Sequence, residues 1–353
     1  MARPTLPTYV FFVAFCFAIF VHVVKCADIL VSQNYTSATC NTGTYQCPDI
    51  KSAVQIAVDN DSIFLAKGVY TGTNNINICV SFVCNFSNVS MIGQGNPEEV
   101  VITGTGALLR FSRGLNISYN SFSYISSLTF DSFEVDTSTR NILASPSVDF
   151  GGAGIYITKS RVTLYNVALQ NNTALLGGAI AIDDSNVTIS NCKVVRNQAT
   201  SYGGGVFALS SNLTIFNSVF ELNNVTSTVE DVAGSGGALH YTGTQQFAVE
   251  IFNCVFQNNT AQRGGGAIFM EPSNLQTGPG YVRVADTVFA DNVIFGLSSC
   301  ITTSACNSMG GAVYVSAIQS SFERCDFVRN FAYVTTTSDV SGGTLPCTNT
   351  FET

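Results

Sequence analysis

The sequence of 353 residues is poor in charge and contains no tryptophan. Charged residues make up only 11% of the chain, and 23 acidic residues outnumber 15 basic ones, which gives a net charge of −8. An acidic surface argues against nucleic acid as a partner and against unassisted binding of polyanions. The absence of tryptophan removes the strongest platform for stacking on sugars. Phosphate-binding loops and zinc-type Cys and His spacings are also absent, so no cofactor and no metal are expected.

Long apolar runs are absent after the first 26 residues. The run from Tyr9 to Val24 follows Arg3, and Val24 and Cys26 fit the −3 and −1 positions of a cleavage site. Because this run is short for a membrane span, it predicts a cleaved signal peptide over 1–26. We therefore expect no membrane span after signal cleavage, and a protein that is secreted, extracellular or held at the cell surface.

A short glycine-rich motif recurs along the chain. Each copy is a triplet of small residues followed by an aliphatic residue, and the copies lie at 152–155, 177–180, 203–206, 236–239, 265–268 and 310–313. A second motif follows each copy and ends in asparagine, at Asn172, Asn197, Asn223, Asn259, Asn292 and Asn330. The period of about 25 residues is the length of one solenoid coil.

Within each period, apolar residues alternate with others. Ile180 and Ile182 share one face of a predicted strand while Ala181 takes the other, and the strand containing Val187 and Ile189 repeats this pattern. A third strand carries the apolar residue three positions before each repeated asparagine. Three short strands per coil predict an all-β fold, a right-handed parallel β-helix in which the asparagines stack as a ladder.

The repeats also suggest the domain organisation. Residues 27–110 are expected to form an N-terminal cap and the first coils, and 111–353 the β-helix, with regular repeats over 151–330. A short helical cap is predicted from Asp49 to Val58, with its apolar side formed by Ile50, Val54, Ala57 and Val58. At the other end, Ser341 to Gly343 has the pattern of a further coil, so we expect either an irregular cap tied by Cys347 or a truncated chain.

Two kinds of cysteine are predicted. Cys192, Cys254 and Cys325 share one repeat position, and two coils separate neighbours by about 9.6 Å, beyond the disulfide limit of about 7 Å. They are expected to be buried free thiols. The close pairs are disulfide candidates, with exchange between the first two pairs left open: Cys40 with Cys47, Cys79 with Cys84, and Cys300 with Cys306.

Asparagines in Asn-x-Ser/Thr sequences are frequent. The candidates for glycosylation are Asn34, Asn60, Asn85, Asn88, Asn116, Asn171, Asn186, Asn212, Asn224 and Asn258. They fit a secreted glycoprotein without proving one, because a chain rich in Asn, Ser and Thr produces such sequences by chance.

The position after each repeated aliphatic residue is predicted to face outward. It is occupied by Tyr156, Ala181, Phe207, His240, Phe269 and Tyr314. Stacked coils would align these rings at about 4.8 Å intervals in an exposed aromatic stripe, a candidate binding surface for carbohydrate or an extracellular protein. The alternative is that the rings pack on one another or lie beneath the insertions at 224–235, 271–280 and 293–309.

Carboxylates are the first requirement for a polysaccharide-cleaving site. The candidate groups are Asp183 with Asp184, and Asp131, Glu134 and Asp136 with Arg110 or Arg113 nearby. Both are interpreted as solvated turns rather than a catalytic or calcium site. His240 has no Ser or Cys near it by spacing and is expected to be a surface histidine. No catalytic residue and no metal ligand are assigned.

The Gly-Gly-Ala-Ile and Phe-x-x-Asn motifs resemble the repeat of the polymorphic outer-membrane protein family over about 151–330. The segment Asp49 to Gly72 is similar to the N-terminal cap of the pectin-lyase-like superfamily. The resemblance implies a right-handed parallel β-helix outside the cell and a role in adhesion. This chain departs from that family because it has no C-terminal stretch that could form the membrane barrel of an autotransporter.

These features favour a secreted, non-catalytic β-helix module for extracellular recognition or adhesion. The first alternative is a polysaccharide-active enzyme, similar to pectate lyases but with an atypical site. The second alternative is a structural matrix protein whose coils act as a spacer.

Overall fold

The computed structural model describes residues 26–81, 88–105, 111–119, 122–135, 151–227, 234–243, 247–272, 280–296, 310–316, 319–334 and 347–348. These residues form a parallel β-helix, as the repeat predicts. Each regular coil crosses four sheets in turn, and every strand pairs with the equivalent strands of the coils before and after it. Two pairings among the described strands are antiparallel, one near each end of the fourth sheet.

The first two sheets carry the strand after the glycine triplet and the strand that follows it. Sheet 1 contains Ile78–Ser81, Leu115–Ser118, Ile155–Thr158, Ile180–Asp183, Val206–Leu209, Leu239–Gly243, Ile268–Pro272 and Val313–Val315. Sheet 2 contains Asp28–Val31, Gln46–Cys47, Ser62–Leu65, Ser90–Gly93, Ser123–Ser126, Arg161–Tyr165, Asn186–Ser190, Asn212–Phe216, Ala248–Phe252, Tyr281–Ala285 and Gln319–Glu323.

The other two sheets lie on either side of the repeated asparagine. Sheet 3 contains Gly68–Tyr70, Val100–Thr103, Thr129–Asp131, Ala168–Gln170, Lys193–Val195, Val219–Glu221, Val255–Gln257, Val288–Ala290 and Asp326–Val328. Sheet 4 contains Phe111–Ser112, Glu134–Val135, Thr173–Leu176, Gln198–Tyr202, Asn224–Val225, Thr260–Ala261, Val293–Gly296, Phe331–Val334 and Cys347–Thr348.

Sheet 4 consists of a fourth strand in each coil, which the sequence pattern does not predict. Its strands are short, and their inward position is alanine in several coils, as at Ala174, Ala199 and Ala261, and valine or isoleucine in others, as at Val225 and Ile294. The alanines give little apolar alternation, so the expected three-strand coil is wrong in this respect.

The core is a continuous column of inward-facing apolar side chains. In sheet 3, Phe220, Phe256 and Phe289 are fully buried, and their rings stack across neighbouring coils with centroids 4.7 and 5.2 Å apart. Stacking equivalent residues at the strand spacing lets every coil bury the apolar face of the next.

Glycine is required where sheet 4 turns into sheet 1. Gly177 has φ +54°, and a Cβ there would lie 2.0 Å from the Ile180 carbonyl oxygen. Only glycine adopts this left-handed conformation without that collision.

The repeated asparagines form the predicted ladder at the turn between sheets 3 and 4. Asn197 Oδ1 accepts hydrogen bonds from the backbone N–H and the side-chain amide of Asn172, at 3.0 and 2.9 Å. Its own side-chain amide donates to the Leu169 carbonyl and to Asn223 Oδ1. Because Asn197 is buried, this arrangement satisfies polar backbone groups that water cannot reach.

A short helix covers the N-terminal end of the solenoid. Helix α1 spans Ile50–Ile56, and the Asp49 carboxylate accepts a hydrogen bond from the Ser52 N–H as its N-cap. Of the residues predicted for its apolar side, Ile50 and Ala57 are buried and Val54 is partly buried against the core, and Ala53 is buried beside them. Val58 departs from the prediction, since it follows the helix end and is 52% exposed.

Among the described cysteines, one predicted disulfide and two of the three predicted buried thiols are confirmed. Cys40 and Cys47 form a disulfide next to the cap. Cys79 is also disulfide-bonded, while Cys84, Cys300 and Cys306 lie outside the described residues. The free thiols include Cys192 and Cys254, which are buried, and Cys325, which is partly exposed because it lies in the last described coil.

Candidate binding surface

The predicted aromatic stripe aligns in register across sheet 1. Phe207, His240, Phe269 and Tyr314 occupy equivalent positions in successive strands, and Tyr156 and Ala181 precede them. The ring centroids of successive pairs are 5.5, 5.1 and 4.7 Å apart, with nearly parallel planes. The rings therefore stack in one column across the coils, as the sequence repeat predicts.

The stripe is buried, which corrects the expectation of an exposed surface and confirms the alternative that the rings pack on one another. Tyr156, Phe207, His240 and Phe269 are only 7, 5, 2 and 5% exposed, while Tyr314 is half-buried. The cover comes from sheet 4, whose residues Leu175, Leu176 and Tyr202 pack against Phe207. Because sheet 4 was not predicted, neither was this cover.

His240 is a core residue rather than the expected surface histidine. Its ring lies between Phe207 and Phe269, with the Tyr202 ring centroid 4.6 Å away. Its Nδ1 lies 3.3 Å from the Ser235 hydroxyl. Burial lowers the pKa of His240 to about 3, so the imidazole is neutral at physiological pH. A Ser–His pair without solvent access offers no route for a substrate.

Of the first candidate carboxylates, Asp183 ends a sheet 1 strand and Asp184 lies in the turn that leads to sheet 2. Asp184 is exposed with φ +44°, and half-buried Asp183 accepts a long hydrogen bond of 3.4 Å from the Thr158 hydroxyl. Their placement matches the interpretation as a solvated turn.

The second group is divided between sheets. Asp131 lies in sheet 3 and accepts a hydrogen bond from the Asn171 amide at 2.8 Å, whereas Glu134 is exposed in sheet 4. Arg113 donates to the carbonyls of Gly151 and Gly152 and lies over the Tyr156 ring. Asp136 and Arg110 lie outside the described residues. Among the residues that the structure places, no three His, Cys, Asp or Glu side chains gather in a group able to hold a metal ion.

A partly exposed row of aromatic residues lies instead on the outer face of sheet 2. Tyr165, Phe216 and Phe252 occupy one outward column, with Ser190 between the first two. Tyr165 is 42% exposed and stacks on Tyr124 at a centroid distance of 6.5 Å. Phe216 and Phe252 are half-buried, and the Arg283 guanidinium lies over the Phe252 ring, 5.5 Å from its centroid. Sheet 2 thus carries one exposed and two partly exposed rings along the direction of the helix axis.

A row of amides runs beside these rings. Asn166, Asn191, Asn217 and Asn253 each follow a sheet 2 strand and have φ between +51 and +53°. Asparagine is favoured there because its short polar side chain tolerates the left-handed conformation that the turn requires. The last three are exposed, and the Asn253 amide donates to Asn217 Oδ1 at 2.7 Å.

A cleft of about 240 Å³ lies at the N-terminal end of the amide row. It is lined by Pro97, Glu98, Val101, Thr129, Asn166, Val167, Ala168, Gln170, Asn191 and Lys193. The lining combines amides and a hydroxyl with one carboxylate and one ammonium group. We call the cleft together with the aromatic and amide rows the corner surface.

The corner surface was not predicted from the sequence, because the aromatic column expected to face solvent was the one in sheet 1. The available signal was an aromatic residue directly before a turn asparagine, as in Tyr165-Asn166 and Phe216-Asn217. The intervening Ser190 and the insertions between coils hide this periodicity.

The candidate glycosylation asparagines differ in accessibility. Asn34, Asn60, Asn171, Asn186 and Asn258 are exposed, and Asn88, Asn116, Asn212 and Asn224 are half-buried. Asn212 Oδ1 accepts a hydrogen bond from the Ala248 N–H, and Asn224 Oδ1 accepts one from the Thr260 hydroxyl. Asn85 lies outside the described residues.

Two curated relatives are similar over most of the chain. Metabotropic glutamate receptor-like protein R of Dictyostelium discoideum is 23% identical over 306 residues, which cover 83% of this chain and 18% of the relative. Metabotropic glutamate receptor-like protein Q of the same organism is 29% identical over 285 residues, covering 80% and 20%. The chain therefore spans about a fifth of the length of these relatives.

Solved structures with partial similarity include two carbohydrate-active proteins. Pectin methylesterase PemA from Erwinia chrysanthemi is 13% identical, with 76% of this chain and 80% of that chain covered and a TM-score of 0.36. A rhamnogalacturonan lyase is 11% identical, with 84% and 86% covered and a TM-score of 0.35. Similarity at this level carries no argument about function.

The family profile gives the firmest assignment. The family described as "Right handed beta helix region" matches residues 100–279, just over half of the chain. This match agrees with the four parallel sheets and supplies the predicted handedness. The chain therefore belongs to the right-handed β-helix family.

Proposed function

We propose that this chain is an extracytoplasmic, non-catalytic β-helix module that recognises carbohydrate or an extracellular protein. The corner surface carries the proposal, because it joins the exposed Tyr165 ring, partly exposed phenylalanines, amides and a cleft on one rigid edge of the solenoid. Ligand sites typically combine an apolar contact area with a few placed polar groups, and parallel strands hold both in fixed register.

The N-terminal sequence and a disulfide support a location outside the cytoplasm. Residues 1–26 have the pattern of a signal peptide. The Cys40–Cys47 disulfide fits an oxidising compartment. In the part of the chain that the structure describes, no helix is long and apolar enough to cross a membrane. Glycosylation at the exposed sequons, such as Asn171 and Asn258, belongs to the same proposal.

The relatives support recognition rather than turnover. Both are named receptor-like proteins, and this chain is similar to about a fifth of each. The resemblance of the glycine and asparagine motifs to the polymorphic outer-membrane repeat adds the expectation of adhesion. In this proposal the chain is the part of a cell-surface or secreted protein that contacts the ligand.

Binding assays on the full-length secreted protein test the proposal. The protein is incubated, with calcium present, on immobilised neutral and acidic polysaccharides and on purified secreted proteins. Retention without new reducing ends or unsaturated products supports recognition. Product formation would identify a polysaccharide-active enzyme, and absence of both retention and products would favour the matrix spacer.

A further inference from the structure

We infer that the outer face of sheet 3 binds a second copy of this chain, with the two solenoids side by side and their axes antiparallel. The inference goes beyond the proposed recognition function and does not depend on it. The surface is defined by Lys193, Val219, Val255, Val288 and Asp326, together with the outward column beside them, and we call it the valine face.

The first outward column of the valine face is arranged symmetrically about Val255. Val219 and Val288 flank Val255 in the neighbouring coils, and Lys193 and Asp326 follow at the two ends. Successive side chains are spaced by about 4.8 Å, so about 19 Å separates the two ends. A column with a cation, three valines and an anion is complementary to itself when one copy is turned around.

A two-fold axis that passes by Val255, parallel to the strands, produces this pairing. It places Val255 against its own equivalent, Val219 against Val288 of the second copy, and Lys193 against Asp326 of the second copy at both ends. A parallel arrangement would instead bring the two lysines together and the two aspartates together, which is unfavourable. The charges therefore select the antiparallel orientation of an isologous dimer.

Both end charges are available for a partner. Lys193 and Asp326 are exposed, and neither side chain forms an ion pair or a hydrogen bond with the residues that the structure describes. The neighbouring Arg324, by contrast, is already paired with Asp286 at 2.6 Å. Lys193 also lines the cleft of the corner surface, so the second copy would lie beside that cleft.

The second outward column is compatible with the same pairing. It contains Val195, Glu221, Gln257, Ala290 and Val328. Val195 would lie against Val328 of the second copy, and Gln257 against its own equivalent. Glu221 would lie opposite Ala290, whose small side chain leaves space for water around the carboxylate. Because this charge has no opposite charge across the interface, it weakens the dimer.

The valine face is free of insertions. In the coils from 186 to 334, two residues join sheet 2 to sheet 3 and two residues join sheet 3 to sheet 4. The longer connections, at 226–238, 273–280 and 297–312, fall at the other corners of the coil. With one turn residue on each side, the face measures roughly 16 by 24 Å, or about 400 Å² per copy. Since this is about half of a standard interface, we expect a weak dimer with a Kd of about 0.1 mM.

Sedimentation equilibrium of the full-length secreted protein, up to about 0.5 mM, tests the inference. Glycans are first trimmed with an endoglycosidase, because the sequon asparagine Asn258 lies in the turn beside the face. The parent should dimerise, whereas Lys193→Asp and Asp326→Lys should each weaken association at least about tenfold, since each change creates two like-charge contacts. Mixing these two variants in equal amounts should restore association, because each charge again faces its opposite.

Two further variants locate the interface. Val255→Arg places two like charges beside the two-fold axis and should abolish association over the same concentration range. Arg161→Asp is the matched control, because Arg161 is an exposed cation of sheet 2 and its replacement changes the net charge as Lys193→Asp does. Its Kd should stay within about twofold of the parent. Circular dichroism confirms folding of each variant.

Three results would overturn the inference: the parent is monomeric at about 0.5 mM, the mixture associates no better than either variant alone, or Arg161→Asp weakens association as much as Lys193→Asp. A monomer that still retains a polysaccharide or a secreted protein would leave recognition standing without the dimer. A dimer that retains no ligand would have the opposite meaning.

Discussion

Replacing His240 with phenylalanine removes the one buried imidazole among the described residues while keeping an aromatic ring in the stripe. His240 is stacked between Phe207 and Phe269, so a phenylalanine of similar size continues the column. The change removes the contact with the Ser235 hydroxyl, which costs about 1 kcal/mol and is offset by the more apolar ring. At pH 7.5 we therefore expect nearly equal stabilities.

Acid should separate the two proteins. Burial lowers the folded-state pKa of His240 to about 3, whereas the ordinary value is 6.5. The stability that comes from keeping this group neutral is complete above the unfolded pKa and is lost as the pH falls toward the folded pKa. At pH 4.5 the unfolded chain is protonated and the folded chain is not, which costs the parent about 2–3 kcal/mol. His240→Phe escapes this loss.

Urea denaturation followed by far-UV circular dichroism, at pH 7.5 and 4.5, measures the difference. Comparing the two proteins at each pH cancels the carboxylates that they share. His240→Phe should have the higher midpoint at pH 4.5 and a similar midpoint at pH 7.5. An equal fall of both midpoints would refute the assignment of His240 as a buried neutral residue.

Three other changes test the internal architecture. Asn197→Ala leaves the Leu169 carbonyl and the Asn172 N–H without their hydrogen-bond partner, so the free energy of unfolding measured with urea should fall by about 3 kcal/mol. In the control Gln257→Ala, which removes an outward-facing side chain, it should change by less than about 0.5 kcal/mol. Gly177→Ala places a Cβ against backbone and should lower the thermal midpoint well below that of Gly72→Ala, where nothing lies within 4 Å of the added Cβ. Thiol labelling of denatured, unreduced protein should modify at least three cysteines, while native Cys192 and Cys254 stay unlabelled because burial raises each thiol pKa to about 11. Finding no labelled thiol would contradict the proposed coil register.

The fold was predictable because its determinants repeat. The same three features recur in register from coil to coil: a glycine corner as at Gly177, an alternating strand as at Ile180, and a ladder asparagine as at Asn197. A single sequence pattern therefore determines many contacts. Sheet 4 escaped prediction because Ala174 and Ala199 bury little apolar surface and produce weak alternation. Periodicity detects large inward side chains far better than small ones.

The exposure of the stripe was not predictable from alternation alone. Phe207 and His240 do point away from the interior that Val206 and Leu239 fill, as the two-residue period requires. Their burial depends on Leu176 and Tyr202 from the preceding strands of sheet 4, a contact between different parts of the coil. Alternation distinguishes two faces of a strand, but it does not show whether a second layer covers the outer one.

Recognition without turnover is the central claim, and one measurement tests it most directly. Full-length secreted protein is incubated with calcium on neutral and acidic polysaccharides, and both retained protein and released sugar ends are quantified. The account predicts retention on at least one polysaccharide with no new reducing ends and no unsaturated products. Product release above the level of a heat-denatured control would contradict it and redirect attention to Asp131, Glu134, Asp183 and Asp184.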